Sequence, residues 1–199
     1  MKLFPLVTCI FPCFASTQAL GKGTQFTINF AGRGCPIGSV SATMSPDAEF
    51  MTFGFDKMHA YTGPGYDPTV RSQNCSVHFI ISLPNSHIQY AFAENTYHGY
   101  ERLDQNITLT LLSTFYRSDD AGRSTTTSVV IQGSGSGQVF SRTVAVPESE
   151  YLWSKCGTNS TLWTLNERAS LTSRGRNVEG RFGGDDTDAV SLIRRLRLL

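Results

Sequence analysis

Polar and apolar residues alternate along most of this chain, with the period of a strand that buries one face. Gln25-Phe26-Thr27-Ile28-Asn29-Phe30 alternates without a break, and Ser39 to Met44 sets small polar residues between Val40, Ala42 and Met44. Phe50 to Phe55, Ser76 to Leu83, Ile88 to Phe92, Ile107 to Phe115, Thr127 to Gln132, Gln138 to Val146 and Ser160 to Leu171 are further β-branched or aromatic runs. Turn chemistry separates them at Arg33-Gly34, Ser45-Pro46-Asp47, Gly63-Pro64-Gly65, Pro84-Asn85-Ser86, Asp119-Asp120-Ala121-Gly122 and Pro147-Glu148. About eight to ten short strands without a recurring helical segment predict an all-β fold, an antiparallel β-sandwich of jelly-roll type. Gly133-Ser134-Gly135-Ser136-Gly137 lacks the Lys-Ser/Thr of a phosphate-binding loop and reads as a flexible hairpin connection.

The last segment departs from the alternation. Asp185-Asp186-Thr187-Asp188 can cap a helix, Val190, Ile193 and Leu196 fall at helical spacing, and Arg194, Arg195 and Arg197 crowd the end. Acids first and bases last suit the helix dipole, so a short C-terminal helix is predicted. Residues 20–173 are then the sandwich, and residues 174–199 an atypical Arg/Leu-rich tail.

The opening residues change the compartment. Lys2 precedes an apolar run, Leu3 to Phe14, that is too short to span a bilayer, and small residues follow at Ala15, Ser16 and Ala19. Residues 1–19 read as a secretory signal cleaved after Ala19 or after Ala15. No later stretch reaches the roughly 18 consecutive apolar residues of a membrane span, so the expectation is an exported, extracellular chain without a stable membrane span. Cys9 and Cys13 leave with the leader, and Cys35, Cys75 and Cys156 remain. In an oxidising compartment an odd count means one bridge plus a thiol, or an intermolecular pair. The sequons Asn74-Cys75-Ser76, Asn106-Ile107-Thr108 and Asn159-Ser160-Thr161 become glycosylation candidates at Asn74, Asn106 and Asn159.

Composition narrows the chemistry. The 199 residues suit one domain with a leader and a tail, and the charged share of 17% is below the roughly 25% usual in globular chains. Lys+Arg 17 against Asp+Glu 16 leaves a net charge of +1, which gives nucleic acid no reason to bind.

Fragments in a fixed order resemble a known group. Gly34-Cys35-Pro36-Ile37-Gly38-Ser39-Val40, Phe55-Asp56-Lys57, Asn74-Cys75, Tyr97-His98-Gly99-Tyr100 with Leu103, and Trp153-Ser154-Lys155-Cys156-Gly157 are similar to the small secreted fungal proteins of the domain of unknown function 4360. The resemblance runs from about residue 30 to residue 170. It implies an exported, cysteine-bridged, β-rich domain with no assigned activity, found at walls or among effectors, and it implies that Cys35 pairs with Cys75. Family members close with a strand bearing Trp and a final Cys that partners the cysteine matching Cys156. Here the chain runs instead into Arg174-Gly175-Arg176, so Cys156 is expected to be unpaired or intermolecular. A lost bridge or a gene-model error near residue 174 accounts for the departure.

Catalytic signatures are absent from the sequence. His59, His78, His87 and His98 stand in no metal-ligand pair, and no Gly-x-Ser-x-Gly elbow leads from a strand to a helix. Asp119-Asp120, Glu148/Glu150 and Asp185-Asp186 fall in solvated turns, where nothing raises a general acid's pKa, while Glu94, Glu101 and Asp104 stay open as strand-borne carboxylates. No catalytic residue, metal or cofactor is assigned. Recognition is better served: Tyr61-Thr62-Gly63-Pro64-Gly65-Tyr66 puts two tyrosines on a loop, and Tyr97 and Tyr100 add two more. Trp163, inside the Leu162–Leu165 run, reads as core. The expected partner is a cell-wall glycan or a host surface protein. The alternatives are a polysaccharide-active enzyme and a structural wall component.

Overall fold

A computed structural model describes residues 24–84, 86–175, 177–183 and 190–198. The leader expected over residues 1–19 and the expected helix cap at residues 185–188 lie outside the described residues. The described residues form twelve strands: β1 (Gln25–Ala31), β2 (Val40–Met44), β3 (Phe50–Phe55), β4 (Ala60–Thr62), β5 (Ser72–Ser82), β6 (Tyr90–Leu103), β7 (Ile107–Arg117), β8 (Ser124–Gln132), β9 (Gly137–Ala145), β10 (Ser160–Ser173), β11 (Gly180–Phe182) and β12 (Val190–Leu198). They form two antiparallel sheets, one ordered β1-β5-β10-β7-β8 and the other β2-β3-β12-β6-β11-β4, with β9 pairing β6. The expected all-β sandwich is what forms.

Alternation decides which side chains meet between the sheets. Val77, Phe79 and Ile81 of β5, Leu109, Leu111 and Phe115 of β7, and Trp163, Leu165, Ala169 and Leu171 of β10 come from the first sheet. Met51, Phe53 and Phe55 of β3 and Tyr90, Phe92 and Leu103 of β6 oppose them. The rings interlock edge to face: Phe92 lies 5.0 Å from Trp163 and 5.3 Å from Phe115, and Phe79 lies 5.9 Å from Phe92. Each such pair contributes about 0.5–1.5 kcal/mol beyond the area it buries. The Trp163 indole donates to the Tyr90 hydroxyl at 2.8 Å, so this buried pair leaves no polar hydrogen stranded. Burial pushes the Tyr90 hydroxyl far above its ordinary pKa.

One staple crosses this core. Cys35, in the turn after β1, is bonded to Cys75 on β5, closing a sequence separation of 40 residues. Cys156 lies in the exposed segment before β10.

Expectations for the C-terminal segment and for the glycine run are corrected. The C-terminal segment forms a strand, β12, inserted between β3 and β6, with Leu192 opposite both Phe53 and Tyr97. Val190, Leu192, Leu196 and Leu198 also fit a period of two, and two partner strands supply more backbone hydrogen bonds than an isolated helix of that length retains. Both β11 and β12 lie beyond residue 173, where the sequence placed the end of the sandwich. The glycine run 133–137 is no hairpin either, because β8 belongs to the first sheet and β9 to the second. The run crosses between the sheets, and a Cβ at Gly133 would stand 2.1 Å from the Asp104 carbonyl oxygen.

Candidate functional site

Strands β4, β11 and β6 lie side by side at one edge of the second sheet. Register sets Tyr61 opposite Arg181, and Arg181 opposite Arg102. Their chain neighbours Ala60, Thr62, Gly180, Phe182, Glu101 and Leu103 are all buried, so the Tyr61-Arg181-Arg102 row faces outward. Together with Tyr66, Asp104 and Glu179 this row lines a cleft of about 370 Å³. That volume lies within the range of small-ligand sites.

The loop after β4 shapes the cleft. Gly63 and Gly65 take φ of +140° and +88°, in which a side chain is strained, and the Tyr66 amide donates to the Gly63 carbonyl at 3.3 Å. The chain thus turns back, and the Tyr66 ring stacks on Tyr61 at 5.3 Å with 13° between planes. Asp67 then caps a short 3-10 turn, Pro68–Arg71, by accepting the Thr69 amide at 2.8 Å. That bond holds the Asp67 carboxyl below its ordinary pKa. His59 supports the pair, edge-on to Tyr61 at 6.4 Å. Tyr66 remains 38% exposed, its hydroxyl donating to Glu179 Oε1 at 3.4 Å.

Charge around the rings is mixed. Like charges opposed across strands repel, so Arg102 beside Arg181 is a costly arrangement for a fold alone. Arg181 lies over the Tyr100 ring at 5.7 Å, within cation–π range. Asp104 Oδ2 accepts the Glu179 amide at 2.8 Å, tying the segment before β11 to the end of β6. The cleft therefore offers guanidinium donors, carboxylate acceptors and an aromatic face within one wall.

The four tyrosines separate. Tyr61 and Tyr66 come together in the cleft and Tyr100 flanks it, its hydroxyl packed where a Gly137 Cβ would lie. Tyr97 does not join them. It is buried between the sheets, its hydroxyl 2.8 Å from both the carbonyl oxygen and Oγ1 of Thr127. Positions 97 and 100 differ in parity, so one strand sends them to opposite faces. Thr127 in turn bonds Asn95, which bonds Ser113, which bonds Glu167: a polar cluster enclosed by the core. Sequence reasoning missed Arg102, Glu179 and Arg181, whose association depends on a three-residue strand paired with partners distant in sequence.

Of the strand carboxylates left open, Asp104 enters the cleft, while Glu101 points to the inner face and is buried. Burial raises the Glu101 pKa, against a hydrogen bond from Gln138 Nε2 at 2.6 Å. No set of three or more His, Cys, Asp or Glu side chains among the described residues is placed to hold a metal ion. No helix of the described residues is long and apolar enough to cross a membrane. The sequon asparagines are all exposed: Asn74 on β5, Asn106 in the β6–β7 turn at φ +72°, and Asn159 at the entry to β10.

Residues 26–194 match the family described as domain of unknown function DUF4360. An uncharacterized secreted protein of Arthroderma benhamiae is 30% identical over 161 residues, which is 81% of this chain and 64% of that protein. The chain thus spans a little under two thirds of that relative's length. Among solved structures, a CBM61 module in complex with β-1,4-galactotriose is 12% identical, with a TM-score of 0.25 over 86% of this chain and 87% of the module. Cowpea mosaic virus top component is 11% identical, with a TM-score of 0.25 over 88% of this chain and 86% of that one.

Proposed function

The chain belongs to the DUF4360 family, and we propose that it is secreted and binds a cell-wall glycan through the Tyr61–Tyr66 cleft without transforming it. The observation carrying this reading is the stacked tyrosine pair at the mouth of a cleft that also holds two guanidinium groups and two carboxylates. A pyranose ring presents an apolar face of C–H groups and an equatorial rim of hydroxyls. The first stacks on an aromatic ring, and the second needs donors and acceptors at the same depth. Tyr61 holds Tyr66 in place, so little rotamer freedom is lost on binding. Binding without turnover is supported by the carboxyls. Asp104 already accepts a backbone amide, and the carboxyl that burial keeps protonated to higher pH, Glu101, faces away from the cleft.

Depletion of the secreted protein from solution by insoluble chitin, β-glucan and mannan tests this, with chromatography of the supernatant for released sugar. Retention on at least one polymer with no soluble product is expected. Released oligosaccharide would favour the enzyme instead, and no retention on any polymer would overturn glycan binding.

A further inference from the structure

Where β5 ends and β10 begins in the first sheet, a groove of about 450 Å³ is lined by Ile80, Ser118, Asp119, Lys155, Ser160 and Leu162, among others. Leu162 and Ile80 are paired directly across β10 and β5, and both are exposed, at 44% and 38%. Most of the same outer face is polar: Asn74, Ser76, His78, Asn166 and Arg168 follow along the two strands. Two apolar side chains side by side in such a setting call for a cover.

The chain supplies an attachment point beside them. Ser160 and Thr161 line the groove and are the second and third residues of the sequon Asn159-Ser160-Thr161, so Asn159 stands one residue, about 3.8 Å of chain, from its wall. Asn159 is exposed, and its backbone is pinned because its carbonyl accepts the Leu83 amide at 2.6 Å. We infer that Asn159 carries an N-linked oligosaccharide whose first sugars lie in this groove and cover Ile80 and Leu162. The groove suits such a guest. Its floor is apolar, while Lys155 and Asp119, 3.4 Å apart, stand at its wall as donor and acceptor for sugar hydroxyls. Asn74 and Asn106 are exposed as well, but neither they nor their sequon neighbours line this groove. Asn159 is therefore the sequon whose glycan has a structural role, and this inference is independent of what the tyrosine cleft binds.

Glycopeptide mass spectrometry of the protein secreted from a fungal host, with N74Q, N106Q and N159Q alongside, tests this. The expected result is a glycan on Asn159, and for N159Q a rise of several-fold in apolar-dye binding together with a lower melting temperature. N106Q leaves both unchanged. If N159Q is not secreted, the wild-type protein is deglycosylated after purification. Complete removal of the glycan should then raise dye binding and hydrogen exchange at residues 80 and 162, while trimming to the first sugar raises them less. The inference is overturned by an unmodified Asn159, or by a glycan whose complete removal moves neither dye binding nor exchange at those residues. An unmodified Asn159 with the groove occupied by another molecule in the secreted preparation would overturn it in favour of a separate ligand.

Discussion

Tyr90 with Tyr97 on one side, and Tyr61 with Tyr66 on the other, are the same side chain used in two opposed ways. Tyr90 and Tyr97 sit on inner-facing positions of β6, where each hydroxyl is satisfied by a buried neighbour and each ring is enclosed by the two sheets. Tyr61 and Tyr66 stand at a sheet edge and on a glycine-rich loop, stacked on one another, with one ring left open to solvent. The first pair is surrounded by groups that lose something if it goes. The second can be removed with little consequence for the fold, which is the condition under which a surface is free to be shaped by a ligand.

That contrast can be broken first from the core side. Trp163→Ala removes the ring that touches Phe92 and Tyr90 and leaves the Tyr90 hydroxyl without its donor, so a loss of about 3–5 kcal/mol is expected, read as a fall in the denaturant midpoint. A variant that unfolds at the wild-type midpoint would show that the rings do not hold the sheets together. Cys75→Ser opens the loop closed by Cys35 and should lower stability by about 4 kcal/mol in the chain-entropy account, a large share of the 5–15 kcal/mol a domain has. Its secreted yield should collapse accordingly.

Smaller changes sharpen the comparison. Tyr97→Phe keeps the ring and takes the hydroxyl donor from the buried Thr127 carbonyl, and a cost of about 1–3 kcal/mol by thermal unfolding is expected with glycan retention unchanged. Glu101 tests a different point. Burial raises its folded pKa, so its ionised form works against folding, and stability falls as pH climbs from the ordinary carboxylate value through the raised one. Glu101→Gln should therefore unfold at a higher temperature than wild type at neutral pH, and the difference should vanish below the ordinary carboxylate pKa. A gain that persists at low pH would place its cause in packing instead of charge.

How far the sequence reads into the structure depends on the range of the interaction. Clean alternation in Gln25–Phe30 and the β-branched and aromatic runs Ile107–Phe115 and Ser160–Leu171 mark β1, β7 and β10, because one buried face per strand is a local demand. Gly63-Pro64-Gly65 announces the loop that presents Tyr66, since positive φ is a local demand too. Residues 93–103 of β6 are harder to read. Thr96, His98, Tyr100 and Arg102 face outward, while Asn95 and Glu101 are polar yet buried, which blurs the alternation. β12 was hidden because its apolar residues satisfy both a helical and an extended period, and only its partners β3 and β6 decide between them. The cleft arginines depend on the same kind of distant pairing, which no spacing along the chain records.

The most direct test of the account is Tyr66→Ala, measured for glycan depletion and thermal unfolding on one preparation. At least a tenfold loss of affinity, about 1.4 kcal/mol, is expected, with a stability cost no larger than the about 0.5–1.5 kcal/mol of the lost ring stack. Undiminished retention on the polymer, with the fold equally intact, would contradict it.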